Sequence, residues 1–121
     1  MIIMKLYKRI IGTLLTLLLI ISLNSCSGCD NQDPSARVIN NGTVAISVQI
    51  KTSEGNTENI NNIEPGMSSE SVSYAAGEIE YTIVLEDKTE VVETVSMQFC
   101  RNYKITLDEN NTITTTSTVI D

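Results

Sequence analysis

Thr43-Val44-Ala45-Ile46-Ser47-Val48-Gln49-Ile50-Lys51 decides the fold class. Val44, Ile46, Val48 and Ile50 occupy every second position, and Thr43, Ser47, Gln49 and Lys51 stand between or beside them. A period of two belongs to a strand with one face buried and one face wet, because successive side chains point to opposite sides. The β-branched residues suit a pleated, half-buried surface. Just upstream, Asn41-Gly42 separates this run from Arg37-Val38-Ile39-Asn40. Asn-Gly between two β-rich runs predicts a two-residue hairpin, with Ile39 opposite Val44.

The alternation returns downstream. From Glu78 to Glu86, Ile79, Tyr81, Ile83 and Leu85 form one face, and Glu78, Glu80, Thr82 and Glu86 form the other. Val91, Val95, Met97 and Phe99 share a phase that Glu93 interrupts. Tyr103, Ile105 and Leu107 make another apolar face, and Thr112 to Ile120 reads as a closing Thr-rich strand. Weaker runs surround Ile60 and Ile63, then Val72 and Tyr74. Turn chemistry separates them: Ser53-Glu54-Gly55-Asn56, Glu64-Pro65-Gly66-Met67 as a type II turn, Ala76-Gly77, Asp87-Lys88-Thr89 and Asp108-Glu109-Asn110-Asn111. About eight short strands with no helical period predict an all-β fold. The expected architecture is a small antiparallel β-sandwich over residues 36–121, immunoglobulin-like or transthyretin-like, with a small barrel as the alternative. No Cys…Trp…Cys pattern supports true immunoglobulin ancestry. Tyr81, Tyr103 and Phe99 are the only bulky members of the expected core.

The N-terminus is different in kind. Met1 to Arg9 carries Lys5, Lys8 and Arg9 and no acid, and Ile10 to Leu23 is almost wholly apolar. A charged start, a short apolar run and a small-residue cut site form the layout of a secretory signal, here a signal helix over 1–25. The 14-residue run is short of the roughly 20 that a spanning helix needs. The four residues Leu23-Asn24-Ser25-Cys26 resemble the lipobox of bacterial lipoproteins, with Leu23 and Ser25 in the pattern's places and Asn24 departing from the usual small residue. The resemblance implies cleavage between Ser25 and Cys26, a diacylglyceryl thioether on the Cys26 sulfur and often a palmitate-type chain on the new amine. Each buried methylene contributes about 0.8 kcal/mol, and two chains hold a protein stably where one does not. The partner so implied is a membrane, reached through a lipid anchor, and the address is a bacterial cell envelope, at its outer membrane. Residues 26–35 are polar with Pro34 and read as a flexible tether.

From Cys26 onward five basic residues face 15 acidic ones, a net charge of −10. Such a surface repels phosphate backbones, so no nucleic-acid partner is expected, and the acyl chains rather than charge must hold the membrane. Lipidation of Cys26 leaves Cys29 and Cys100 as an even pair in a compartment that permits disulfides. A bridge between them would close a long loop; the alternative is two free thiols.

No histidine is present, which removes Ser-His-Asp and Cys-His catalysis and His-based metal sites. Glycines fall singly at turns and form no phosphate loop. Cys26-x-x-Cys29 imitates half a zinc or redox site but has no partner pair. Glu78, Glu80 and Glu86 would need a cleft to act as paired carboxylates, and Asp108 to Asn111 lacks the repeated spacing of a calcium loop. No catalytic residues, metal or cofactor are therefore expected. With no Trp in the chain, a sugar could stack only on an exposed tyrosine, and Tyr74 is the candidate ligand contact, with a place in the core or at its rim as the alternative. The stretch from Tyr103 to the end resembles the closing strands of fimbrillin-like lipoproteins, which implies a surface-fibre or adhesion subunit, and Arg37 sits where a pilus-type precursor would be trimmed. The expectation is a non-enzymatic envelope lipoprotein that binds or scaffolds another envelope or surface protein. A fimbrial-type subunit and a carbohydrate-binding module are the alternatives.

Overall fold

A computed structural model describes residues 28–121. The expected signal helix and Cys26 lie outside them. Eight strands follow in order: β1 (Ser35–Asn40), β2 (Ile46–Lys51), β3 (Thr57–Ile63), β4 (Val72–Ser73), β5 (Gly77–Val84), β6 (Glu90–Met97), β7 (Arg101–Leu107) and β8 (Ile113–Val119). They form two four-stranded sheets, β4-β1-β7-β8 and β3-β2-β5-β6. Neighbours run antiparallel except β1 and β7, which are parallel. In immunoglobulin domains the first two strands share a sheet; here they do not. The two sheets make a small β-sandwich, as the alternation predicts.

The core lies between the sheets. Ile46, Val48 and Ile50 of β2, Ile79, Tyr81 and Ile83 of β5, and Ile105 and Leu107 of β7 are almost wholly buried. Each such aliphatic side chain contributes about 2 kcal/mol on leaving water. The alternation in β2 and β5 thus sets which face packs.

The Asn41-Gly42 hairpin does not form. β1 and β2 lie in different sheets, and the chain crosses between them at residues 41–45. A two-residue I′ turn needs positive φ at both central residues, and neither Asn41 nor Gly42 has it. Asn40 decides the outcome instead. Its side chain is fully buried. Nδ2 donates to the carbonyls of Val44 and Ile63, each at 2.8 Å, and Oδ1 accepts from the Gly42 N–H at 2.9 Å. A Cβ on residue 42 would sit 3.0 Å from that Oδ1. Glycine stands there for close approach, not for a left-handed turn.

Three hairpins share one geometry. Thr52, Leu85 and Asp108 each accept, at the carbonyl, a bond from the third residue on, and donate through N–H to the fourth. The third residues, Gly55, Lys88 and Asn111, all have positive φ. This is a type I turn followed by a left-handed residue, the common three-residue hairpin. The turn at Pro65-Gly66 closes with Met67 N–H donating to Glu64 O at 3.0 Å, and Gly66 has the φ of +81° that a type II turn requires.

The segment expected as a tether is partly folded. Pro34 is buried, Gln32 O accepts from Cys100 N–H at 2.8 Å, and Pro34 O accepts from Tyr74 N–H at 3.0 Å. From Gln32 onward this stretch belongs to the domain.

Candidate functional site

Phe99, expected in the core, lies outside it, and Tyr74 takes the core place that was the alternative to a ligand contact. Phe99 is 49% exposed and Tyr74 only 6%. β6 ends at Met97, after which Gln98 to Cys100 carry the chain across to the other sheet. Gln98 N–H donates to Tyr103 Oη at 2.9 Å, and Cys100 takes a φ of +63°. The period of two stops there, so Phe99 swings outward. Tyr74 follows the two-residue strand β4, and its backbone is tied to Pro34. Its ring belongs to the core cluster with Tyr81. Burial first, then the nearby Glu58 carboxylate, pushes the Tyr74 phenol up to about 12. Burial likewise raises Tyr81, with Tyr74 and Glu58 adding to it. Tyr74 therefore offers no open ring for a sugar.

Glu78 and Glu80 stand exposed on the outward side of β5, while Glu86 falls in the loop after it. The three do not share one strand face, because the strand ends at Val84. Glu80 lies across from Lys51 and Thr94 beside a shallow depression of about 370 Å³, open to solvent. Asp108 uses its carboxylate within its own turn, accepting from Asn110 and Thr112 N–H at 2.8 and 2.9 Å. Among the described residues no group of three or more Asp, Glu, His or Cys could hold a metal ion. Among them, too, no helix is long and apolar enough to cross a membrane.

Cys29 and Cys100 are joined. Their sulfurs are 2.08 Å apart and their Cα atoms 5.8 Å, across 71 positions of sequence, and that Cα spacing is within the range a disulfide spans. Ser25 and Cys26 lie outside the described residues, Cys26 three positions before Cys29.

Two further surface features bear on function. The first is the outward face of β4-β1-β7-β8. Arg37 lies directly across from Lys104, and Lys104 across from Thr116. Ser35, Asn102 and Thr118 complete a shallow groove of about 320 Å³. A sheet register puts these residues together, and no local pattern reports it. The second is the set of edges. β4 is two residues long, β3 carries a register shift against β2, and β6 turns Glu93 into the inward phase opposite Tyr81. β8 is seven residues, uncharged and without a register shift against β7. Short edges, bulges and inward charges are the usual means of preventing strand addition; β8 has none of them.

No family model matches the chain, and no curated protein does. The NMR structure of the protein from Eubacterium rectale is similar in shape, with a TM-score of 0.49 at 16% identity, covering 70% of this chain and 87% of that one.

Proposed function

We propose that the chain is a lipid-anchored protein of a bacterial envelope, held through Cys26, whose β domain binds another envelope or surface protein without catalysing a reaction. The observation that supports the binding role most directly is the unprotected edge at β8, beside the outward face bearing Arg37 and Lys104. An added strand would take its main-chain bonds from β8 and its side-chain contacts from that face. The paired cations favour a partner with carboxylates there. Crosslinking in the native membranes followed by pull-down tests this reading. Co-purification of one envelope protein, lost in Ser117→Lys, which puts an inward-phase charge on the edge, is the expected result. Recovery of no partner would refute it. The anchor itself is checked by the mass of the native protein, which should begin at a diacylated Cys26.

A second reading has the same edge as its support. If the added strand comes from another copy, the protein is a fibre-type subunit, and unheated gels show a ladder of oligomers that heating collapses.

A further inference from the structure

We infer that the end of the domain bearing Phe99 lies against the lipid interface, held there by the Cys29–Cys100 disulfide. The inference rests on the anchoring of Cys26 proposed above. Three residue steps separate Cys26 from Cys29, which is at most about 11 Å of extended chain. A chain free as far as Ser35 would reach about 30 Å. The bridge ties Cys29 to Cys100, in the crossing between β6 and β7. Gln32 and Pro34 add main-chain bonds to Cys100 and Tyr74. The domain therefore has a short leash attached at one defined end.

What stands at that end fits a lipid surface. Phe99, the neighbour of Cys100, is 49% exposed. Val119, across from Arg101, is 60% exposed, and Ile120 N–H donates to Cys100 O at 2.9 Å. The chain thus places two large apolar side chains beside its attachment point. The headgroup region of one leaflet is about 5–8 Å thick, so a leash of this length brings them to it. Charge does not separate the two ends: the loops at the opposite end carry Glu64, Glu86, Asp87, Asp108 and Glu109 against Lys88, and Asp30, Asp33, Glu54 and Asp121 lie toward the Phe99 end. The leash and the exposed apolar side chains set which end faces lipid. Membrane contact is then made by apolar side chains and acyl chains, as the net charge requires.

The chain has no tryptophan, so a single one reports its own depth. The full-length protein, purified with its native lipid from bacterial membranes, is reconstituted into phosphatidylcholine vesicles brominated on the upper acyl chain. Phe99→Trp and, as a second probe of the same end, Val119→Trp are compared with Glu109→Trp. Flotation with the vesicles is recorded for each. The expected result is flotation of all three, with quenching at 99 and 119 about twofold or more above that at 109, as for side chains seated in the interface. In the Cys29→Ser/Cys100→Ser background the protein still floats, and the difference between the ends shrinks. Flotation with equal quenching at both ends overturns the orientation and leaves the anchor standing. An undiminished difference without the cysteines overturns the role given to the bridge. Failure to float refutes the anchor, and the orientation with it.

Discussion

Asn40 occupies a position that alternation alone would give to an apolar residue. It follows Val38 on the inward face of β1 and is as buried as its aliphatic neighbours. Three bonds hold it: two reach Gly42 and Val44 in the crossing, and one ties it to the end of β3 in the other sheet. Asn40→Ala leaves two buried carbonyls and one N–H without partners, so chemical denaturation should show a loss of about 3 kcal/mol. A loss below about 1 kcal/mol would mean water replaces the side chain. Tyr81 is the opposite case. Among the described residues its hydroxyl is buried with no partner. Tyr81→Phe removes an unpaired polar atom and keeps the ring, so stability should hold or rise by up to about 1 kcal/mol. The same phenols set an alkaline limit. Tyr74 titrates near 10 when unfolded and at about 12 when folded, and Tyr81 is also raised. A raised folded value means the unfolded chain gives up its protons first. The stability these groups support is intact below pH 10 and is lost as pH rises through 12. Melting temperature followed from pH 9 to 12 should fall over that window, and less steeply in Tyr74→Phe. The alternation correctly marks Tyr81 as buried, but Asn40, Tyr74 and Phe99 depend on where strands stop and which sheet they join. That information is not local.

At the scale of elements, the strongest strands were legible because one physical rule governs them. β2 and β5 bury every second residue with no exception over their central positions. The hairpins at Ser53–Asn56, Asp87–Thr89 and Asp108–Asn111 were legible too, because each carries turn residues between two strands of one sheet. Asn41-Gly42 misled for the same reason: it has hairpin chemistry but joins strands of different sheets. The parallel pairing of β1 with β7 spans more than 60 positions and left no mark on either strand. Among the three like hairpins, the left-handed position is held by Gly55, Asn111 and Lys88, and only lysine is poorly suited to it. Lys88→Gly should therefore stabilise the protein, by about 0.5–1 kcal/mol. Thermal unfolding should show a rise of about 2–8 °C for a domain of this size. No rise, or a fall, would show that the added freedom of glycine in the unfolded chain outweighs the relief of strain.

For the whole molecule, the question is what supplements a core made mostly of valine and isoleucine. Its large members are few, since Phe99 points outward and Tyr74, Tyr81 and Tyr103 are the only buried aromatic rings among the described residues. Domains of this size are stable by only about 5–15 kcal/mol. The Cys29–Cys100 bridge closes a loop that contains β1 to β6, across 71 positions. The chain-entropy relation gives about 4 kcal/mol for a loop of that length. The effect falls on the unfolded chain, so the folded contacts of Gln32 and Pro34 neither replace it nor depend on it. Cys29→Ser/Cys100→Ser should keep the fold, with unchanged far-ultraviolet dichroism, and lose between about 2 and 4 kcal/mol in urea. Its denaturant slope should increase, because an unbridged chain exposes more surface on unfolding. A reducing agent should bring the natural protein to the same midpoint and leave the double variant where it was. Equal midpoints for bridged and unbridged protein before reduction would show that the loop constraint contributes nothing, and the stability would then have to come from the thin core alone.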